Sequence, residues 1–147
     1  MRYILILLLI LNTLLATELT LSKKQAEFIA KKVWQNEGAG LDKYLIHWNN
    51  GEDFASIGIG HFIWFSKGHK ERFREVFPMY LSFISQKGVK MPRWLTPTTP
   101  LPWNSQDELK KAKEQKSKKY IELFDFIKAT KSYQAEFMAN QIGRAHV

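Results

Sequence analysis

The run from Phe54 to Phe65, Phe-Ala-Ser-Ile-Gly-Ile-Gly-His-Phe-Ile-Trp-Phe, constrains the fold more than any other part of the chain. It is apolar, rich in β-branched and aromatic residues, and broken by Gly58 and Gly60. Glycine weakens helices and permits sharp bends, so the run predicts a small β-hairpin bent at the glycines. A shorter β-like stretch, Tyr44 to Trp48, precedes it, and Asn49-Asn50-Gly51 between the two is a strong turn signal.

The rest of the chain reads as helix. Ser22-Lys-Lys-Gln25 has the form of a capping box, followed by Ala26, Ile29, Ala30 and Val33 at helical spacing, with Gly38 and Gly40 to stop it. His69 to Gln86 is again helical in pattern, with Pro78 starting or kinking a second helix and Gly88 closing it. Pro92 to Trp103 holds four of the five prolines, and its two tryptophans, Trp94 and Trp103, predict an ordered connector docked on the body. Ser105-Gln-Asp-Glu108 opens what reads as one long helix, basic from Lys110 to Lys119 and amphipathic through Tyr120, Leu123, Phe124 and Ile127. Thr130 and Ser132 punctuate, and Tyr133 to Gln141 reads as a last helix. The expected class is α+β, mostly helical, with one small early hairpin and no internal repeat.

At 147 residues there is room for one domain. Arg2 followed by an apolar run from Ile4 to Leu15, with Ala16 as a small residue for cleavage, reads as a secretory signal peptide over 1–16; an uncleaved anchor is the alternative. The domain is then expected over 17–141. Residues 142–147, Ile-Gly-Arg-Ala-His-Val, break the helical pattern and read as a non-native tail of the kind a sequencing adapter encodes, so the natural chain is expected to continue past Gln141. There is no cysteine, which excludes disulfides, thiolate chemistry, cysteine-ligated zinc and a lipoprotein anchor. The formal charge is +8, and still +6 without Arg2 and Arg144. For an exported chain, periplasmic or secreted, the anions that such a charge meets are lipid head groups, wall polymers and peptide-stem carboxylates, not nucleic acid.

Glu37 is the residue most suggestive of chemistry. It falls on the apolar stripe of the first helix, at the end of that helix. Desolvation and the negative end of the helix dipole both disfavour a carboxylate, which would keep the acid protonated near neutrality. A proton-bearing carboxyl is what glycoside cleavage requires at the leaving oxygen. Periodicity alone favours a plainer account, a terminal glutamate bonded to lysine or backbone.

The string Trp34-Gln-Asn-Glu37-Gly38, followed after the turn by Ser56-Ile-Gly-Ile-Gly-His61, resembles the phage-type lysozymes, in which a helix ending in Glu-Gly is followed by a hairpin carrying Thr-Ile-Gly-Ile-Gly-His. The likeness spans roughly residues 22–65. The longer string Phe54 to Trp64 also resembles exported bacterial lysozyme-like proteins, among them the deacetylation-specific lysozymes of predatory bacteria. The resemblance implies a lysozyme-like α+β fold and cleavage of peptidoglycan glycan strands. It gives Glu37 the general-acid position and Ser56 the place of a threonine whose hydroxyl helps hold the attacking water. It further implies that Gly58 and Gly60 allow close backbone approach to a sugar, and that His61 braces the hairpin against the catalytic helix.

The chain departs from that family at the second carboxylate. The phage enzymes carry an aspartate six positions before the threonine, where this chain has Asn50. Asp53, or else Glu52, is the candidate base; both also read as ordinary solvated turn residues. An inverting enzyme needs its carboxyls about 6.5–9.5 Å apart. Trp48 is a candidate platform for a sugar ring, while Trp64, Trp94 and Trp103 read as core. His47, His61 and His69 lack the spacing of a zinc site, so no metal and no cofactor is expected. The Lys110–Lys119 run reads as a solvated helix face, or as an electrostatic hold on an anionic envelope surface. A monomer is expected. Rival readings are a lytic transglycosylase, which needs one essential glutamate, and a wall-binding protein that has lost catalysis.

Overall fold

The structure, a computed structural model, describes residues 22–37, 40–69 and 73–145, with the backbone alone for Lys23, Glu37 and 142–145. The expected leader over 1–16 lies outside the described residues. Among the described residues the class is α+β: five α-helices and a small three-stranded antiparallel sheet, about 51% helical. Among the described residues no helix is long and apolar enough to cross a membrane.

Helix α1 spans Lys23–Glu37. Its capping box forms as the sequence predicts: Ser22 Oγ accepts the Gln25 N–H and Gln25 Oε1 accepts the Ser22 N–H. Ala26, Ala30 and Trp34 are buried along one face. At the other end the Gly40 N–H, with Gly40 at φ +70°, donates to the Trp34 carbonyl and folds the chain back over the helix end.

A 3-10 turn, Asp42–Tyr44, leads into β1 (Ile46–His47), β2 (Ala55–Ile57) and β3 (Phe62–Trp64), in the order β1-β2-β3. The Asn49–Glu52 turn closes with a bond from the Glu52 N–H to the Asn49 carbonyl, and Gly51 at φ +81° supplies the left-handed corner. β1 falls within the β-like stretch Tyr44–Trp48 read from the sequence and adds a third strand to the hairpin of β2 and β3. Ile46 pairs with Ile57 and Ile57 with Phe62; His47 pairs with Ser56 and Ser56 with Ile63. Side chains alternate across a sheet. Ile46, Ala55, Ile57, Phe62 and Trp64 face the core, all buried, while His47, Ser56 and Ile63 share the opposite face.

The helix expected from His69 does not begin there. Residues 70–72 lie outside the described residues, and Phe73 to Val76 is not helical. The Val76 N–H donates to the Ile63 carbonyl and Glu75 Oε1 accepts the Phe65 N–H, so this segment spends its bonding groups on the sheet. Helix α2, Phe77–Gln86, starts with Pro78 in its first turn, where the missing N–H costs nothing. The Pro92–Trp103 segment is docked as predicted: Trp64 Nε1 donates to the Thr99 carbonyl, the Leu101 N–H to Phe65, and Trp103 is buried.

The long helix expected after Ser105 is two helices, α3 (Gln106–Glu114) and α4 (Lys118–Ala129). Lys116 adopts φ +49° between them, and Ser117 Oγ accepts the Tyr120 N–H as a new N-cap. Helix α5 runs Lys131–Ala145, from two residues before the expected start and on through residues 142–145, where the sequence pattern predicted a break. Isoleucine, arginine and alanine all tolerate helix, and Gly143 alone does not end it. Helix α5 packs along α1 and touches α2. The core lies between these helices and the sheet, with Tyr80 set among the rings of Phe62, Phe77 and Phe137.

Candidate active site

Glu37 is the last residue of α1, three positions after buried Trp34 and seven after buried Ala30. Its side chain lies outside the described residues. Ser56 sits in the middle strand, 5% exposed, on the face turned away from the core, flanked by His47 and Ile63. Strands on both sides fix its backbone.

The turn after Ser56 is held from a distance. Gln134, in α5, is fully buried; its Oε1 accepts the Ile59 N–H at 2.8 Å, and its Nε2 donates to the Ile127 carbonyl and to Thr130 Oγ1. All three hydrogen bonds run inside the protein, where a missing partner is expensive. Gly58 has φ +77°, and a Cβ there would land inside contact distance of Gln134 Oε1. A Cβ on Gly60 would stand 2.6 Å from Met138 Sδ. The close approach that these glycines allow within the fold is to Gln134 and to Phe62 and Met138. The signal for Gln134 was present as a polar residue on the stripe of Ile127, Thr130 and Phe137, but its partner is visible only in three dimensions.

His61 takes φ +49°, and its N–H donates to the Gly58 carbonyl. Its ring meets that of His47 edge-on at 4.7 Å, while His47 Nδ1 pairs with the Tyr44 carbonyl. This ring contact lies along the sheet face, beside Ser56. Trp48 is 8% exposed and belongs to the core. Its indole N–H donates to the Glu52 carbonyl and its own carbonyl accepts Gln106 Nε2. Only an edge of the ring is exposed, towards the groove beside β1.

The two turn acids differ. Glu52 is tied into the turn, its carboxylate accepting from Asn49 Nδ2 and its carbonyl from Trp48. Asp53 is exposed, with only a 3.7 Å approach to His69 Nδ1. Asp42, in the 3-10 turn, is bonded by Lys128 and Lys131, which hold its carboxyl below the usual range; Lys131 also lies over the Trp34 ring. That cluster ties the connection between α1 and β1 to the corner of α4 and α5. Among the described residues no group of three or more histidines and acids could hold a metal.

No protein-family model matches the chain, and no curated protein or solved structure does.

Proposed function

We propose that the chain is an exported peptidoglycan glycosidase of the lysozyme type. The reading rests on one arrangement: a helix ending at Glu37, a short return, and a sheet whose outward face centres on Ser56 beside a turn clamped by Gln134. This is the order of parts that the sequence resemblance implies for a cleft between helix and sheet.

In this mechanism Glu37, at a helix C-terminus and on an apolar stripe, keeps its proton at neutral pH and gives it to the bridging oxygen between two amino sugars. Ser56 Oγ orients a water towards the anomeric carbon. Asp53 takes the proton from that water, a role for which it is better suited than Glu52 because its carboxylate is not engaged in the turn. No cofactor takes part.

A second reading has one observation in its favour. Asn50, exposed in the turn, stands where the phage enzymes carry their second acid. Glu37 would then act alone as acid and base, and a hydroxyl of the substrate would close an anhydro ring in place of water attack. Digestion of native and deacetylated sacculi followed by mass analysis of the released fragments tests both. Fragments carrying one added water support hydrolysis; anhydro fragments select the transglycosylase; no release from either substrate overturns the glycosidase.

A further inference from the structure

A groove of about 460 Å³ opens beside β1, between that edge strand and α3. Its floor is Tyr44, Ile46 and the edge of Trp48, and its rim carries Lys43, Lys110 and Lys113. Lys110 and Lys113 are three apart on α3, so they project from the same face of the helix. The volume lies within the ordinary range for small-ligand clefts.

The charges of this groove are unspent. Lys128 and Lys131 are bound to Asp42, Lys87 to Glu136 and Lys118 to Glu122. Among the described residues no carboxylate lies within ion-pair distance of Lys43, Lys110 or Lys113; Lys43 rests over the Tyr44 ring instead. Asp107 is the one acid on the lining, in the first turn of α3. Three ammonium groups around an aromatic floor suit a flexible ligand that alternates apolar and carboxylate groups.

The groove adjoins the candidate site at His47, the half-buried neighbour of buried Ser56. That residue lines the groove and shares the outward sheet face with Ser56, its cross-strand partner. A polymer whose backbone lies across that face can therefore send a side branch along β1. We infer that the groove beside β1 binds a carboxylate-bearing peptide branch of the polymer whose glycan occupies the Ser56 face. This rests on the glycosidase reading for what lies on the sheet, and adds the recognition of a charged branch. The mainly apolar hollow around Phe62 and Met138 carries a single cation, Arg74, and the basic hollow around Arg93 and Trp94 is lined by none of the residues of the Ser56 face.

Calorimetric titration of the full chain carrying Glu37→Gln, which prevents turnover, tests the inference with three probes. These are an amino-sugar disaccharide bearing an acidic peptide, the same molecule with its carboxylates amidated, and the disaccharide without peptide. The acidic probe is expected to bind about tenfold more tightly than the other two, the size that a few exposed ion pairs supply together. The gap closes at high salt and in the Lys43→Gln, Lys110→Gln, Lys113→Gln triple variant, whose exposed positions leave the circular dichroism spectrum unchanged. Equal binding of acidic and amidated probes, no binding of any probe, or a gap that survives the triple substitution overturns it. A charge-dependent gap in a chain that cleaves no glycan leaves the groove standing and removes the glycosidase; cleavage indifferent to amidation does the reverse.

Discussion

Gln134 accepts the backbone N–H of Ile59 at 2.8 Å across 75 residues of sequence. The same side chain fills the space that a Cβ on Gly58 would need. The glycine-bent turn and the last helix are therefore fitted to each other. Gln134→Ala leaves the Ile59 N–H buried without an acceptor and should cost about 1–3 kcal/mol in urea unfolding. Gly58→Ala, with φ +77° and a clash against Gln134, should cost about 2 kcal/mol or more. The double variant Gly58→Ala, Gln134→Ala should fall short of the sum of the two single losses, because removing the glutamine relieves the clash. Simple additivity would mean that the two residues are not coupled.

Asp42 gives the fold an acid-sensitive point. Lys128 and Lys131 lower its pKa beneath 3.8, so its contribution is fully present above about pH 4 and is lost as pH falls through the lowered value. Asp42→Asn should reduce stability at pH 7 by up to about 1 kcal/mol, discounted for solvent screening, and the difference from the parent should narrow between pH 7 and about pH 3. Unfolding midpoints at the two pH values check this.

Tyr80 sets the alkaline limit. Burial raises its phenol well above the ordinary value of 10.0. Its stabilising effect is complete below pH 10 and declines as pH rises towards the folded value, since the unfolded chain ionises first. Tyr80→Phe should cost under about 1 kcal/mol at pH 7, because the bond from its hydroxyl to the Thr130 carbonyl is long at 3.4 Å. The variant should lose less stability than the parent between pH 10 and 12.

Local signals in the sequence were legible where the partners are a few residues apart. Ser22 with Gln25, Ser105 with Glu108, the Asn49–Glu52 turn and Pro78 at a helix start all form as their spacing predicts. The break at Lys116 was hidden because the surrounding lysines favour helix and only Ser117 signals a new cap. The Asp42 cluster and the Gln134 clamp depend on contacts between distant segments, which periodicity does not encode. Gly58 and Gly60 stood out in the sequence, but their reason did not: the neighbours that demand them are Gln134, Phe62 and Met138.

The two turn acids should separate in kinetics. Asp53→Asn should slow glycan release about a hundredfold or more if a water is activated there, whereas Glu52→Gln should act mainly through stability of the Asn49–Glu52 turn. Rates of both variants, measured below their unfolding midpoints, distinguish base from brace.

The rate of sacculus solubilisation by the parent chain and by Glu37→Gln, compared at equal folded concentration, bears on the account most directly. A proton donor at position 37 predicts release by the parent and a fall of about a thousandfold in the variant, with the unfolding midpoint little changed. Equal rates from the two chains, or no release by either, would contradict it.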